Sequence, residues 1–393
     1  MSIEPARQML FEAATGDALG AMNQAVRLAC AFEHELLQGR GAFNGTPASA
    51  DSIINRAHVS RSVRNEAVRI LQSRDIIRAK PGPHGGLLAL PPNPDHLIDV
   101  ISHYAIYRQI SLKAVQESRE VVDFMRSAVP VGNPGAAIVE LMSQVVDHLA
   151  AWVQEESSRP DAQRRRPRAE RIAQQLASRI LRSQPPATGT GNLRLGHEEE
   201  LCELFSSCRP VIRQAIRILE AQSLVETRRG RGRGLFLVCP KPGPVTRLIS
   251  LWLLERQLPL CNILDFERPL RTAVAVFAVR NMRCDSDQPI LELQRKSEAA
   301  GASTLLDVIE MEKSISWLSG NVLLDLFLRT ITVYKICRGQ YHRMDARGLE
   351  PYPAINARFL QALVKRNETA IQSGCEDKNV CLSQLDLRLL PAQ

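Results

Sequence analysis

The chain has 393 residues and a formal net charge of +8, and its 45% apolar and 23% charged residues are typical of a globular protein in water. Its length allows two to four domains, and no apolar run approaches the roughly 18 residues of a membrane span. The N-terminus lacks the apolar core of a secretion signal. The nine cysteines are scattered without a CxxC pair, which argues against a disulfide framework or a zinc finger. We therefore expect a cytoplasmic protein without a membrane partner.

The positive charge is concentrated in one segment. Residues 159–234 carry 16 Lys and Arg against 8 Asp and Glu, and the rest of the chain balances at 34 of each sign. A local basic excess is typical of a phosphate-binding surface, as in proteins that bind nucleic acid. A basic face that is merely solvated would look the same. Charge alone leaves both interpretations open.

The first third of the chain predicts a helix followed by a helix–turn–helix and a hairpin. Apolar residues recur at helical spacing over 24–38, and a Gly-rich gap follows. Two short helices are predicted at 51–57 and 62–74. Residues 76–91 then read as strand, Gly/Pro turn and strand. This is the element order of a winged helix.

The same order returns later in the chain. A helix is predicted over 170–182, and the segment 193–205 leads through a short turn into a second helix over 210–222. Pro210 suits a helix start, because its missing N–H would be unpaired there anyway. The segment LVETRRGRGRGLFLV closes the unit as a hairpin.

The two units are copies of each other. Shifted by 148 positions, residues 61–112 align with 209–260 without a gap, and 16 of the 52 positions are identical. Average composition would give about three identities by chance. The sequence therefore predicts a tandem repeat.

Helical stretches follow both copies. Three helices are predicted at 95–109, 112–128 and 136–154, and residues from Val245 onward predict six or seven helices without a strand pattern. The expected fold class is mainly α with small β-hairpins: two winged helix-turn-helix domains plus an all-α helical-bundle effector domain. The predicted domains are a first winged helix at 18–92, a truncated effector-like segment at 93–158, a basic linker at 159–167, a second winged helix at 168–240 and an effector-binding or dimerisation domain at 244–393.

The second copy resembles the winged helix-turn-helix of GntR-type bacterial transcription regulators. The family pattern runs roughly L-P-S-E-R-x-L-A-x-x-F-x-V-S-R-x-x-V-R-x-A-L-x-x-L-x-x-x-G-L-V, followed by a Gly-rich wing. Matching positions are held by Leu195, Glu198, Leu201, Phe205, Arg209, Arg213, Ala215, Leu219, Leu224 and Val225, with Gly230, Gly232 and Gly234 in the wing.

The helical regions resemble the effector domain of the FadR branch of that family. There the wing is typically followed by P-x-P-D-x-L and then by S-L-x-x-L-x-x-x-R. The segments PNPDHLIDV and SLKAVQESREVVD fit this order. The resemblance covers nearly the whole chain, with the effector domain of the first copy cut to its opening helices.

The resemblance implies a DNA-reading surface on the second helix of each motif. Arg209 and Arg213 are four residues apart, so they share one helical face, and Arg is the commonest residue to contact guanine. The first copy keeps Arg61 and has Arg64 next to the position that would match Arg213. The alternative is a solvated helix face. A family arginine of the preceding helix is replaced by acids in both copies.

The wings are the second predicted contact with DNA. Glycine lets the backbone approach the duplex closely, and arginine can enter a minor groove or bind phosphate. A solvated hairpin tip or an RNA contact are the alternatives. The first wing is weaker. The predicted DNA-binding residues are Arg209, Arg213, Arg228, Arg229, Arg231, Arg233, Gly232, Arg61, Arg64, Lys80 and His84.

The resemblance also raises the question of a metal. Many FadR-branch domains bind one through an acid and three histidines, in the signature D-x-x-x-H followed by G-N. Here Val308 and Glu312 stand at the first two positions, and Asn356 aligns with a second histidine. Only His342 follows His197, so we predict no metal and no other cofactor. An organic acid or acyl effector held by arginines such as Arg268, Arg271 or Arg280 is an alternative to a plain salt-bridge or surface role for these residues.

These observations predict a sequence-specific DNA-binding transcription regulator, with the two winged helices paired within one chain on a bipartite operator. The alternative is a degenerate regulator that binds a ligand or a protein and has little affinity for DNA. No constellation of catalytic residues stands out, so we do not expect an enzyme. Double-stranded DNA is the expected partner, and a small organic-acid or acyl effector and a second copy of the chain are further candidates.

Overall fold

The computed structural model describes residues 3–16, 24–38, 59–80, 86–128, 132–154, 168–169, 171–173, 175–176, 194–221, 225–228, 234–237, 241–281, 288–299, 304–338 and 349–388. Within these ranges the chain is mainly helical, with two small antiparallel sheets. None of these helices is both long and apolar enough to span a bilayer. The predicted class, mainly α with small β-hairpins, is confirmed.

The elements are numbered here in chain order. The helices are α1 (Ile3–Thr15), α2 (Gln24–Leu37), α3 (Arg61–Ser73), α4 (Pro94–Tyr107), α5 (Leu112–Ala128), α6 (Ala136–Gln154), α7 (Glu198–Leu204), α8 (Arg209–Ala221), α9 (Gly243–Glu255), α10 (Leu260–Asn281), α11 (Gln288–Ala299), α12 (Leu305–Leu318), α13 (Val322–Arg338), α14 (Tyr352–Val364) and α15 (Glu368–Arg388). The strands are β1 (Ile77–Lys80), β2 (Gly86–Ala89), β3 (Arg194–Gly196), β4 (Val225–Arg228) and β5 (Gly234–Leu237).

The chain divides into two compact units. We call Ala18–Gln109 together with Ala151–Glu255 the repeat unit, and Met1–Asp17, Ile110–Ala150 and Arg256–Gln393 the helical unit. The predicted segment 93–158 is divided between them, because α4 belongs to the repeat unit and most of its remaining residues to the helical unit. The domain boundaries derived from the sequence stay a prediction.

The element bounds in the repeat unit recur at the sequence offset of 148. Helices α3 and α8, strands β1 and β4, and strands β2 and β5 begin and end at positions 148 apart. The backbone follows the same rule beyond the strands: Gln109 and Gln257, also 148 apart, have φ angles of 56° and 49°. Few non-glycine residues adopt this left-handed conformation. The matched pair indicates that the local backbone is the same at the end of both segments.

Within the described residues, the first hairpin has two strands and the sheet of the second hairpin has three. β1 pairs with β2 in register from Ile77–Ala89 to Lys80–Gly86, whereas β5 lies between β4 and β3. The sequence did not predict β3, because three residues are too few to show strand alternation. Gly234 permits the extra strand: its φ is +139°, and a Cβ there would lie 2.9 Å from the Gly196 carbonyl oxygen. Such a contact excludes any side chain.

Helix α8 is positioned by an apolar face. Ile212, Ala215 and Leu219 recur at helical spacing and are buried. They pack in one core, and the residues they meet there come from the helical segment 168–176, from α7, and from β4 and β5: Ile172, Ala173, Leu176, Leu201, Val225, Leu235 and Leu237. This packing directs the other side of α8 outward.

The helical unit is an all-α bundle in the part of it that the structure describes. Six or seven helices were predicted from Val245 onward, and seven, α9 to α15, lie within the described ranges. Helix α9 belongs to the repeat unit and the other six to the helical unit. Helix α5 is joined to the bundle through the buried Asn321, whose Nδ2 donates to the Ala114 carbonyl at 2.8 Å. The same side chain accepts from the backbone N–H groups of Leu323 and Leu324 at 3.2 Å each. Helices predicted for the first copy therefore belong to the same bundle as those of the second.

Candidate nucleic-acid interface

Two arginines project from the first turns of α8. Arg209 and Arg213 lie one turn apart and outside the buried face of the helix, and about three-fifths of each side chain is exposed (61% and 64%). The structure thus places both predicted residues on one accessible face. Side chains near the N-terminal end of a second helix are the ones that reach base edges in helix-turn-helix proteins.

Both arginines are paired with acids of the preceding helix. Arg209 Nη2 donates to Glu199 Oε1 at 3.1 Å, and Arg213 Nε donates to Glu198 Oε2 at 2.8 Å. The hydrogen bond to Glu198, and then its charge, raise the pKa of Arg213. The sequence pattern showed that an acid replaces an arginine at position 199, but it did not predict these two ion pairs.

The third glutamate of α7 has another role. Glu200 Oε2 accepts the backbone N–H of His197 at 2.8 Å and so closes the start of α7. Arg194 lies 3.6 Å from the same carboxylate. Glu198 and Glu199 instead accept hydrogen bonds from the arginines of α8.

The corresponding residues of the first copy are less clearly presented. Arg61 is exposed at the start of α3, where Ser60 Oγ accepts the Val63 N–H at 3.3 Å. Arg64 is only half-exposed, and Lys80 is exposed at the end of β1. His84 lies outside the described residues. In its first turns the second helix of the first copy therefore has one exposed cation, Arg61, where α8 has two.

The predicted contacts of the second wing fall mostly outside the described residues. Arg229, Arg231, Gly232 and Arg233 lie between β4 and β5, in the range 229–233 that is not described. Arg228 ends β4, and only its backbone is described. The wing residues stay a prediction.

Helices α3 and α8 contact each other through a reciprocal pair of interactions. Glu66 forms an ion pair with Arg217, and Arg69 Nη1 lies 3.5 Å from Gln214 Oε1. Shifted by 148, Glu66 becomes Gln214 and Arg69 becomes Arg217. Each helix thus uses the same two positions to contact its counterpart, which is the contact rule of a two-fold symmetric dimer.

Arg217 is the better anchored of the two interface arginines. It also pairs with Glu220 on its own helix. Burial alone would lower the pKa of Arg217, but the carboxylates of Glu220 and Glu66 together raise it. The interface is therefore asymmetric: one contact is the ion pair Glu66–Arg217, and in the other Arg69 faces the amide of Gln214 instead of a carboxylate.

A buried charge triad fixes the first copy within the repeat unit. Glu33 on α2 is fully buried, and Arg247 Nε on α9 donates to its Oε2 at 2.6 Å. Arg74, directly after α3, pairs with the other oxygen. Burial would raise the pKa of Glu33, but Arg74 and Arg247 together hold it below its usual value. The triad ties the C-terminal end of α3 to two other helices.

The helical unit contains a charged cavity of about 80 Å³ that is partly open to solvent. Five cationic side chains and three carboxylates line it: Arg271, Lys313, Arg329, Lys335 and Lys378, with Glu267, Glu312 and Asp325. The lining therefore carries a surplus of positive charge. Of the arginines considered as ligand contacts from the sequence, Arg271 lines this cavity, whereas Arg280 pairs with Glu368 at 3.1 Å.

The residues at the implied metal position do not fit a metal. Lys378 Nζ lies 2.6 Å from Glu312 Oε1 and 3.1 Å from Asn356 Oδ1, so one ammonium contacts two of the three positions that the resemblance marked as ligands. Burial would raise the pKa of Glu312, but Lys378 and then Arg271 keep it below its usual value. Within the described residues no three His, Cys, Asp or Glu side chains are arranged to hold a metal ion.

No protein-family model and no curated protein matches this chain. Among solved structures, the Streptococcus agalactiae GntR is 19% identical, with a TM-score of 0.41 over 55% of this chain and 99% of its own. The E. coli McbR/YncC is 15% identical, with a TM-score of 0.29 over 57% of this chain and 98% of its own. Each of these proteins aligns with little more than half of the present chain.

Proposed function

We propose that the chain is a GntR-type, FadR-branch transcription regulator that binds double-stranded DNA through two winged helices paired within one polypeptide. The observation that carries the proposal is the exposed pair Arg209 and Arg213 at the start of α8, in a segment that matches the winged-helix pattern of that family. Arg is the residue best suited to contact guanine in the major groove. A protein with this function is expected to act in the bacterial cytoplasm.

The internal pairing is supported by the reciprocal contacts of α3 and α8. The two contacts are Glu66–Arg217 and Arg69–Gln214. Their midpoint lies between positions 67 and 68 on α3 and between positions 215 and 216 on α8, which correspond to each other at the offset of 148. Helices α4 and α9, which follow the two hairpins, also contact each other. In both pairs, a helix of the first copy contacts its counterpart in the second copy. Such contacts support an approximate two-fold relation between the copies.

This arrangement restricts how DNA can be read. Arg61 and Arg209 each lie about 6.5 residues from the crossing point, or about 10 Å at 1.5 Å per residue. With about 10 Å between packed helix axes, the two helix starts are about 22 Å apart at most. At 3.4 Å per base pair this spans about six or seven base pairs, less than one turn of DNA. We therefore propose two inverted half-sites less than one turn apart.

The helical unit is proposed to be the effector domain, and to work without a metal. Its cavity lining has five cations against three carboxylates, and an anion would offset that surplus. A small organic acid or an acyl compound with a carboxylate fits this chemistry, and Arg271 is the residue that we expect to face it. A second copy of the chain is a further candidate partner.

The alternative is a degenerate regulator with little DNA affinity. It is favoured by one observation: the two arginines of α8 already have carboxylate partners. Such a protein would bind a ligand in the helical unit without reading DNA. Ligand-dependent thermal stabilisation combined with no affinity for any duplex would support this alternative over the proposed function.

The test is a gel shift with sheared genomic DNA at rising salt. The wild-type protein is expected to bind in a salt-sensitive way. Arg209→Ala combined with Arg213→Ala should weaken binding by about 1–3 kcal/mol for each arginine. Glu203→Gln, an exposed change on α7 outside the ion pairs, is the matched control. Binding that is absent, or unaffected by the double substitution, contradicts the proposal.

A further inference from the structure

Two glutamates of α7 stand where DNA would have to approach. Glu198 and Glu199 hold Arg213 and Arg209 at 2.8 Å and 3.1 Å. The arginines and Glu199 are mainly exposed, and Glu198 is about one quarter exposed. Glu200 closes the helix start by accepting the His197 N–H. The other two acids, in contrast, accept hydrogen bonds from the proposed DNA-reading side chains.

We propose that Glu198 and Glu199 are specificity-determining residues that compete with DNA for the two recognition arginines. This inference rests on the proposed function. Any DNA has to break both ion pairs before Arg209 and Arg213 can contact it. A random DNA sequence offers each arginine mainly phosphate oxygens in place of its glutamate partner. The carboxylate of the neighbouring glutamate repels that phosphate. A matching sequence also offers two acceptors on guanine to each arginine.

The consequence is a lower affinity for random DNA than for the operator. Sequence-independent binding comes essentially from phosphate contacts, so acids beside the contact surface weaken it most. Specificity is a ratio of affinities and can be raised by weakening the wrong complex. Because surface ion pairs are weak, a matching DNA sequence can displace the two glutamates from the arginines.

The expected size of the effect follows from simple electrostatics. A carboxylate about 6 Å from a phosphate in a water-like dielectric changes affinity about threefold. Two such acids together change it about tenfold. If both arginines become free to bind phosphate, the slope of log affinity against log salt steepens by about 1.8.

The test compares Glu198→Gln combined with Glu199→Gln against wild-type protein and against Glu203→Gln. Fluorescence anisotropy is measured with a short random-sequence duplex and with a duplex taken from genomic fragments that the wild-type protein selects. The double variant is expected to bind the random duplex about tenfold more tightly, with a steeper salt slope and a smaller preference for the selected duplex. The single variant Glu199→Gln should show about half of this change on a logarithmic scale.

The outcomes separate this inference from the proposed function. If wild-type protein binds DNA and the double variant behaves like Glu203→Gln, the competitor role is wrong and the regulator function stands. If the double variant gains affinity equally for both duplexes, the acids do not set specificity. If none of the proteins binds either duplex, the proposed function is wrong and this inference falls with it.

Discussion

Removing the charge of Glu33 is expected to destabilise the repeat unit strongly. Glu33→Gln leaves Arg74 and Arg247 buried without their carboxylate, since all three side chains are at most 3% exposed. Breaking a buried ion pair by removing one partner costs about 3–5 kcal/mol. At about 2–4 °C per kcal/mol for a unit of this size, the melting temperature should fall by roughly 6–20 °C.

The assay is thermal and urea unfolding followed by circular dichroism, with Glu203→Gln as the exposed control expected within about 0.5 kcal/mol of wild type. The pH dependence gives a second test. Because the folded pKa of Glu33 is lowered, its contribution is fully present above the unfolded value of about 4.3 and is lost as pH falls through the folded value. Wild type should therefore lose more stability on acidification than Glu33→Gln. A variant within about 1 kcal/mol of wild type at neutral pH would refute the reasoning.

Three further substitutions test other contacts. Lys378→Met removes the ammonium nearest to Glu312 and leaves Arg271, whose Nε lies 3.2 Å from the other carboxylate oxygen, as its remaining partner. The substitution should lower the stability of the helical unit by up to about 3 kcal/mol in urea unfolding; an unchanged midpoint would contradict the role of the ammonium. Gly234→Ala places a methyl group 2.9 Å from the Gly196 carbonyl at a φ of +139°, so we expect a loss of more than about 1 kcal/mol. Asn321→Ala removes several buried hydrogen bonds and should cost about 2–3 kcal/mol, which hydrogen exchange in α5 would detect as faster opening.

Much of the repeat unit could be predicted from the sequence. The 148-residue shift predicted element bounds that recur at the same offset, because residues that set helix starts and turns act locally. Ser60 and Pro210 at the beginnings of α3 and α8 are examples. Helices α5 and α6 were predicted at their observed bounds for the same reason: their apolar residues recur at helical spacing.

The ion pairs could not be predicted, since each joins side chains from different helices. Glu198 reaches Arg213 across 15 positions, and Glu33 reaches Arg247 across more than 200. Nothing in helical spacing indicates which acid will face which base. Lys378 is a similar case: a lysine in a polar helix is typical of a solvated face, yet here it is 1% exposed. Only tertiary packing determines such partners.

The central claim, that two paired winged helices read one operator, is tested most directly by selecting genomic DNA fragments with the purified chain and measuring their half-site spacing. We expect inverted half-sites with centres about six or seven base pairs apart, because the two helix starts are about 22 Å apart. Half-sites one full turn or more apart, about 34 Å, or no enriched sequence at all, would contradict it.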